Sequence, residues 1–281
     1  MMNLINISQL IEDCLVARNL RGMKTMQSAL RPGYFLRAAK TLFHCQGNVL
    51  IGTGFPVDHT FETDGPVGAI LLYNLLQTLG KTPHLVCGVP LYAQLKDDYR
   101  VIPIAVNDVQ GAPLYAQQIA AQYQPAAIIS IERPGLNSEG QYCNMRGEDI
   151  STRCASFDFF MSQANCPTIA IGDGGNEIGM GNIAPELASL NIIPSVTECD
   201  ELLVADVSNW GAYGLIGIMS LWHPADLLEN LDVESLLKYL SAKGSVDGVT
   251  RRNELTEDSL CFSAGYEVLN QIRVIIGNAK N

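Results

Sequence analysis

Positive charge is scarce in this chain. Lysine and arginine number 18 against 29 aspartates and glutamates, a formal net charge of −11. A surface of that sign does not release counterions from a nucleic-acid backbone or meet anionic headgroups, so no nucleic-acid or membrane partner is expected. No run approaches the ~18 consecutive apolar residues of a membrane span. The opening Met1-Met2-Asn3-Leu4-Ile5-Asn6 has neither a basic segment nor a long apolar core before Glu12 and Asp13, so neither a signal nor a transit peptide is expected. Cysteine occurs eight times but never as C-x-x-C. Cys14, Cys87 and Cys199 sit in or beside apolar segments, as small hydrophobes do. That pattern predicts no disulfide framework and fits a reducing, cytoplasmic setting. The four histidines, His44, His59, His84 and His223, are scattered, which argues against a histidine-built zinc centre.

Several familiar motifs are missing as well. There is no G-x-S-x-G elbow and no H-E-x-x-H. Gly80-Lys81-Thr82 imitates the end of a phosphate-binding P-loop, but the first glycine that motif needs is Leu75. Gly52-x-Gly54 follows an apolar run as a dinucleotide fingerprint would, yet its third glycine position is Val57. Gly179-x-Gly181-x-x-Ala184 fits the letters without following a strand. No nucleotide site is read from any of them.

What is present is a globular composition: 281 residues, 47% apolar and 17% charged, enough to bury a sizeable core as one domain spanning 1–281. Short apolar runs predict strands at Asn48–Thr53, His84–Gly88, Val101–Val106, Ala126–Ile131, Thr168–Gly172 and Glu201–Asp206. Their continuity is that of strands buried on both faces. Helical periodicity predicts helices over Gly65–Leu79, Ala112–Tyr123, Ser151–Gln163, Trp210–Trp222 and Val233–Leu240, after an N-terminal helical arm (1–45) with helices near Ser8–Leu20 and Pro32–Cys45. The alternation implies an α/β fold of three layers: an open, mostly parallel sheet with helices on both faces.

Ligands of such sheets bind at the carboxyl ends of the strands. The segments that follow the strands here carry Gly54, Glu62, Thr63, Asp64 and Gly65; Glu132 and Arg133; Asp173, Gly174, Gly175, Asn176 and Glu177; and Asp206-Val207-Ser208-Asn209. Asp64-Gly65-Pro66 is a good helix start, whose N–H groups and dipole suit an anion. The glycine-dense loop from Gly172 to Asn182 suggests a backbone nest for another. Glu62, Asp64, Asp173 and Glu177 leave room for an oxygen-ligated Mg2+ or Ca2+. Near the C-terminus, Ser245-Val246-Asp247-Gly248-Val249-Thr250-Arg251-Arg252 is a polar turn with two cations. Arg133, Arg146, Arg251 and Arg252 are the candidates for holding an anionic substrate against the acidic background.

Thr53-Gly54-Phe55-Pro56, Glu62-Thr63-Asp64-Gly65-Pro66-Val67-Gly68-Ala69, the Gly172–Gly181 segment and Val246-Asp247-Gly248-Val249 together resemble the glutamate cyclase-like family, the C-terminal module of mitochondrial D-glutamate cyclase. The resemblance implies a carbon–oxygen lyase that converts D-glutamate to 5-oxo-D-proline with loss of water. The eukaryotic enzyme carries a further N-terminal domain that this sequence does not include. Within that chemistry, Glu62 or Asp64 is the expected base and Asp173 or Glu177 the expected acid. The Gly172–Gly175 and Gly65 backbones would hold oxyanions, and Arg133 or Arg251 the α-carboxylate. Gly54, Thr63, Glu132, Asn176 and Asp247 complete the expected substrate contacts. A metal- or phosphate-dependent enzyme and a non-catalytic amino-acid-binding module are the other classes the residues allow, and self-association into a homo-oligomer is left open.

Overall fold

A computed structural model describes residues 3–229 and 231–280. Six strands form one parallel sheet: β1 (Asn48–Thr53), β2 (Thr82–Cys87), β3 (Val101–Pro103), β4 (Ala127–Ile131), β5 (Thr168–Gly172) and β6 (Glu201–Val204). Their spatial order is β3-β2-β1-β4-β5-β6. The apolar runs become strands because both faces are covered, and every residue of β4 and β5 is buried. The chain builds outward from β1 to β3, then crosses back to lay β4 on the other side of β1, where Gly52 pairs with Ser130 and Thr53 with Ile131. This reversal opens a crevice at the carboxyl ends of β1 and β4.

The main helices are α1 (Leu4–Leu15), α2 (Tyr34–His44), α3 (Pro66–Thr78), α4 (Ala112–Tyr123), α5 (Ser208–Met219), α6 (Val233–Ala242) and α7 (Phe262–Lys280). α5 is buried along its whole length and packs against the sheet, α2, α3 and α7. Small residues make that density feasible. A Cβ on Gly214 would lie 2.6 Å from Leu15 Cδ1 and 2.9 Å from Phe35 Cε1, and one on Gly211 2.5 Å from Ile171 Cγ2.

One expectation is corrected. The helix expected over Ser151–Gln163 is broken. A single tight turn at Ser151–Arg153 is followed by extended Cys154, and a short helix restarts at Asp158–Ser162. The break lets Ala155 bridge to Val106 and offer its carbonyl to Arg133. The expected N-terminal helical arm is present as α1 and α2, and its Ile7, Ile11 and Leu15 join the same apolar core as the sheet. Finally, α7 is absent from the sequence reading, although Ala264, Val268, Leu269, Ile272 and Ile276 line one buried face. All eight cysteines are free thiols. Among the described residues, no helix is long and apolar enough to cross a membrane.

The α5 interface makes a direct prediction. Gly214→Leu overpacks against Leu15 and Phe35 and is expected to cost roughly 1–3 kcal/mol in urea unfolding. Gly277→Ala in α7, where a Cβ meets nothing within 4 Å, is expected to stabilise by roughly 0.4–1 kcal/mol.

Candidate active site

The loop leaving β1 first folds into a ribbon, Pro56–Val57 against Thr60–Phe61. A strap at Val246 then pins it: Val246 N donates to Phe61 O (3.0 Å) and Thr63 N donates to Val246 O (2.9 Å). This brings Glu62, Thr63 and Asp64 to the mouth of the crevice. Gly65 follows with φ 91°, and a Cβ there would lie 2.7 Å from Glu132 Cβ, so only glycine lets the two strand-end loops pass. Glu132 itself sits at φ 47° directly after β4, the kind of backbone strain that a surrounding site must hold in place.

The N-termini of α3 and α5 lie side by side, and each is capped from the other's loop. Asp64 Oδ1 accepts from Asn209 N (2.7 Å) and Oδ2 from Ser208 N (2.9 Å) at the start of α5. Asn209 Oδ1 accepts from Gly65 N (2.8 Å) and Gly68 N (2.7 Å) at the start of α3. The anion-binding helix end expected at Gly65 is therefore already satisfied by Asn209. The nest in the β5 loop is satisfied as well, because Gly174 N (3.0 Å) and Gly175 N (2.7 Å) donate to the Glu177 carboxylate three and two residues on. The N–H groups of Gly65, Gly68, Gly174 and Gly175 are thus engaged within the protein instead of being held for a substrate oxyanion, which corrects that part of the expectation.

Beneath the rim is a cluster of buried acids: Glu62, Asp64, Glu132, Asp173, Glu177, Glu257 and Asp258. Ser208 Oγ donates to Glu132 Oε2 (2.6 Å) and Ser208 N to Asp173 Oδ2 (3.2 Å). Asn209 Nδ2 donates to Glu257 Oε1 (2.8 Å). The cation at the centre is Arg21, from the segment after α1, ion-paired with both Asp173 and Asp258. Glu62 differs from its neighbours: no described residue donates to its carboxylate, although the residue is only 7% exposed. Burial, then Asp258 and Asp64, pushes the Glu62 carboxyl well above the ordinary range. Burial, then Glu177 and Asp64, does the same to Glu132, and burial raises Asp173 against the pull of Arg21. Asp64 is pushed up to about 8 by burial and Asp258, and Glu257 to about 7 by burial. Burial opposes the Arg21 charge, but Asp173 and Asp258 outweigh it and keep the guanidinium protonated.

The cluster floors a cleft that opens to the surface between the loops after β1, β4 and β5. Glu62, Glu132, Asp173, Glu177, Asp258 and Arg21 reach it from below, while Arg146, Arg153 and Arg251 stand at its more exposed rim. Arg251 is tied to Asp58 (3.3 Å) and Glu148 (2.9 Å), Arg153 Nη1 donates to Asp58 O (3.0 Å), and Arg146 Nη2 to Val249 O (2.9 Å). One oxygen each from Asp64, Glu132 and Asp173 lies within 4.8 Å of the others. That spacing suits a divalent cation and replaces the Glu62–Asp64–Asp173–Glu177 set expected from sequence.

Other expected residues fall elsewhere. Arg133 is turned away from the acids: Nη1 donates to Thr53 O (2.7 Å), Nη2 to Ala155 O, and the guanidinium lies over the Phe157 ring. It ties the sheet to the Ala155 segment and is not placed to bind a substrate carboxylate. Gly54 packs beside Leu91 and lines a neighbouring small cavity with Arg133. Thr63 Oγ1 donates to Thr256 O (2.7 Å) beneath the floor. Asp247 organises its own turn, accepting from Val249 N, Thr250 N and Ser259 N. Asn176 lines the cleft while its amide donates to Cys143 O (3.0 Å). Sequence reasoning missed Arg21, Arg153, Asp258 and the capping role of Asn209; only Asn209 had a signal, its place after β6.

Because these carboxyls hold protons that the unfolded chain releases near pH 4, the native state is favoured below that range and loses stability as pH rises. With Asp64 shifted from 3.8 to about 8 and Glu257 from 4.5 to about 7, the unfolding free energy is expected to fall between about pH 4 and 8. Glu62→Gln, which removes one buried ionisable group, is expected to flatten that slope and raise Tm at pH 8 by roughly 2–4 °C. Thermal unfolding at several pH values measures both, and a slope of opposite sign would refute the assignment.

Comparison with known proteins places this arrangement. An exopolyphosphatase-related protein from Bacteroides fragilis superposes with a TM-score of 0.45 at 10% identity, over 86% of this chain and 56% of that one. The human protein "D-glutamate cyclase, mitochondrial" is 30% identical over 207 residues, which is 64% of this chain and 33% of the relative. The chain thus matches about a third of the length of that relative. The family described as "D-glutamate cyclase-like, C-terminal" matches residues 11–273, and the chain belongs to that family.

Proposed function

We propose that the chain closes the γ-carboxyl of D-glutamate onto its own α-amine, giving 5-oxo-D-proline and water. The observation that carries this reading is Glu62: a buried carboxylate with no donor, facing a cleft with acids on its floor and arginines at its rim. A zwitterionic dicarboxylate matches that polarity, with its ammonium directed inward to the acids and its α-carboxylate outward to Arg146, Arg153 or Arg251. The family relationship, with an enzyme among its members, supports a catalytic role over a purely binding one.

Ring closure is intramolecular, so much of the entropic barrier is met by the substrate itself. The carboxyls divide by how their oxygens are occupied. Asp64 is held by backbone N–H groups of Gly65, Ser208 and Asn209, Glu177 by those of Gly174 and Gly175, and Asp173 by Arg21 and Ser208. Glu62, and Glu132 with its single serine donor, remain for proton transfer. In this mechanism the substrate ammonium, directed at Glu62, ionises that carboxyl in the complex; Glu62 takes one ammonium proton, and the freed nitrogen attacks the γ-carbon as the C–O π pair moves to oxygen. Glu132, kept protonated by burial, first protonates the γ-carboxylate to form the hydroxyl and then takes the second proton from the ring nitrogen, while Glu62 passes its proton to that hydroxyl, which leaves as water. The nitrogen gives up two protons in all and the oxygen gains two, so the pair returns to its starting state.

Incubation with D- and L-glutamate and chiral detection of 5-oxoproline tests the reading. D-glutamate is expected to yield product, and Glu62→Gln to lower kcat by roughly 10^2–10^4-fold without loss of fold. Folded parent protein that forms no product from either isomer would overturn it. The Asp64–Glu132–Asp173 spacing favours a second reading in which a divalent cation assists the same site. In that case EDTA dialysis abolishes turnover and Mg2+ restores it; unchanged turnover after EDTA rejects it.

A further inference from the structure

The two backbone sites that would ordinarily stabilise an oxyanion are spent inside the protein, one on Glu177 and the other on Asn209. Arg133, the arginine nearest the crevice in sequence, is spent on carbonyls of the sheet and the Ala155 segment. A floor made of carboxyls offers little support to negative charge developing on the γ-carbonyl oxygen, so cyclisation at this site needs a cationic donor among them. Arg21 is that cation. Its Nε donates to Asp173 O (3.3 Å), and its Nη2 serves Asp206 O (3.4 Å), Asp173 and Asp258. Among the described residues, no acceptor engages Nη1, and that atom is not sealed from solvent. The side chain is 17% exposed, lines the cleft and lies against Gly174, whose Cβ would be 3.7 Å from Arg21 Cδ. Two of its three nitrogens are thus engaged by the protein, and the third is left without an acceptor among the described residues on a side chain that lines the cleft.

We propose that Arg21 Nη1 binds the oxyanion formed at the γ-carbon during ring closure, which makes the segment after α1 part of the active site. The assignment rests on the cyclisation described above. When the nitrogen adds to the γ-carbonyl, the π pair becomes a localised negative charge on oxygen, and Nη1–H donates to it. As the C–O bond to the leaving hydroxyl breaks, that pair reforms the lactam carbonyl and Arg21 is unchanged. Its anchoring by Asp173 and Asp258 is what holds the planar guanidinium at a fixed angle, and a lysine ammonium in the same ion pairs cannot present a second, separately directed nitrogen.

The test uses the full chain with two probes: D-glutamate for turnover, and D-2-amino-4-phosphonobutanoate, whose tetrahedral phosphonate imitates the addition intermediate, for binding by calorimetry. Arg21→Lys is expected to lower kcat by roughly 10^2–10^3-fold with KM within about threefold, and to weaken phosphonate binding at least roughly tenfold, about one charge-assisted hydrogen bond. Arg21→Ala leaves Asp173 and Asp258 without their cation. It is therefore paired with the Arg21→Ala/Asp258→Asn double variant, which restores the local charge, and added guanidinium is expected to recover part of the lost turnover. Parent kcat in Arg21→Lys, a loss confined to KM, or equal phosphonate affinity in parent and variant overturns the assignment. Absence of phosphonate binding by the parent does so too. A parent that binds the phosphonate through Arg21 yet makes no 5-oxoproline sinks the cyclisation and keeps Arg21 as the anion-binding group.

Discussion

Burying acids around a single guanidinium is costly, because each ionised carboxyl leaves water for a medium that solvates it poorly. The local architecture follows from how that cost is offset. The backbone N–H groups at the start of α5 and in one glycine loop, the hydroxyl and amide of Ser208 and Asn209, and the Arg21 ion pairs are all committed to carboxyl oxygens. What these donors do not cover is covered by protons, since burial holds Glu62 and Glu132 well above the ordinary carboxylate range. Proton retention and donor placement are two answers to the same desolvation problem. The first leaves groups able to exchange protons near neutrality.

The reciprocal caps at α3 and α5 give this cluster its rigidity. Asp64 begins one helix and Asn209 the other, and Asn209 also reaches Glu257. A shift of either helix along its axis would break bonds at both. The same crevice that the sheet opens between β1 and β4 is thus closed at its base by paired polar contacts instead of apolar packing. This leaves a polar floor under an arginine rim.

Much of the fold was legible because its signals are local. A run such as Ala127-Ile128-Ile129-Ser130-Ile131 is a buried parallel strand wherever it stands, and all six expected strands are present within a few residues at their ends. The α7 helix is encoded just as locally, since its buried positions recur at helical spacing. The break at Cys154 is different. Residues 151–163 carry a helical pattern, and the tertiary bridge from Ala155 to Val106 overrides it.

The sequence by itself determined that a parallel α/β sheet forms and that glycine- and acid-rich loops gather at one end of it, because strand burial and turn chemistry act over a few residues. Only the tertiary structure decided what each loop group does. Glu177 and Gly174 are close in sequence, but whether that nest takes a substrate oxygen or its own glutamate depends on backbone angles set by packing. Arg21 lies 152 positions from Asp173, in a segment without any motif, and its role exists only because α1 packs beside α5 and delivers it to the floor. Arg133 has the opposite history: it is adjacent to Glu132 in the chain, yet its guanidinium is taken up by the carbonyls of Thr53 and Ala155. The acids could be found from their loops, while the cation that makes their burial tolerable could not.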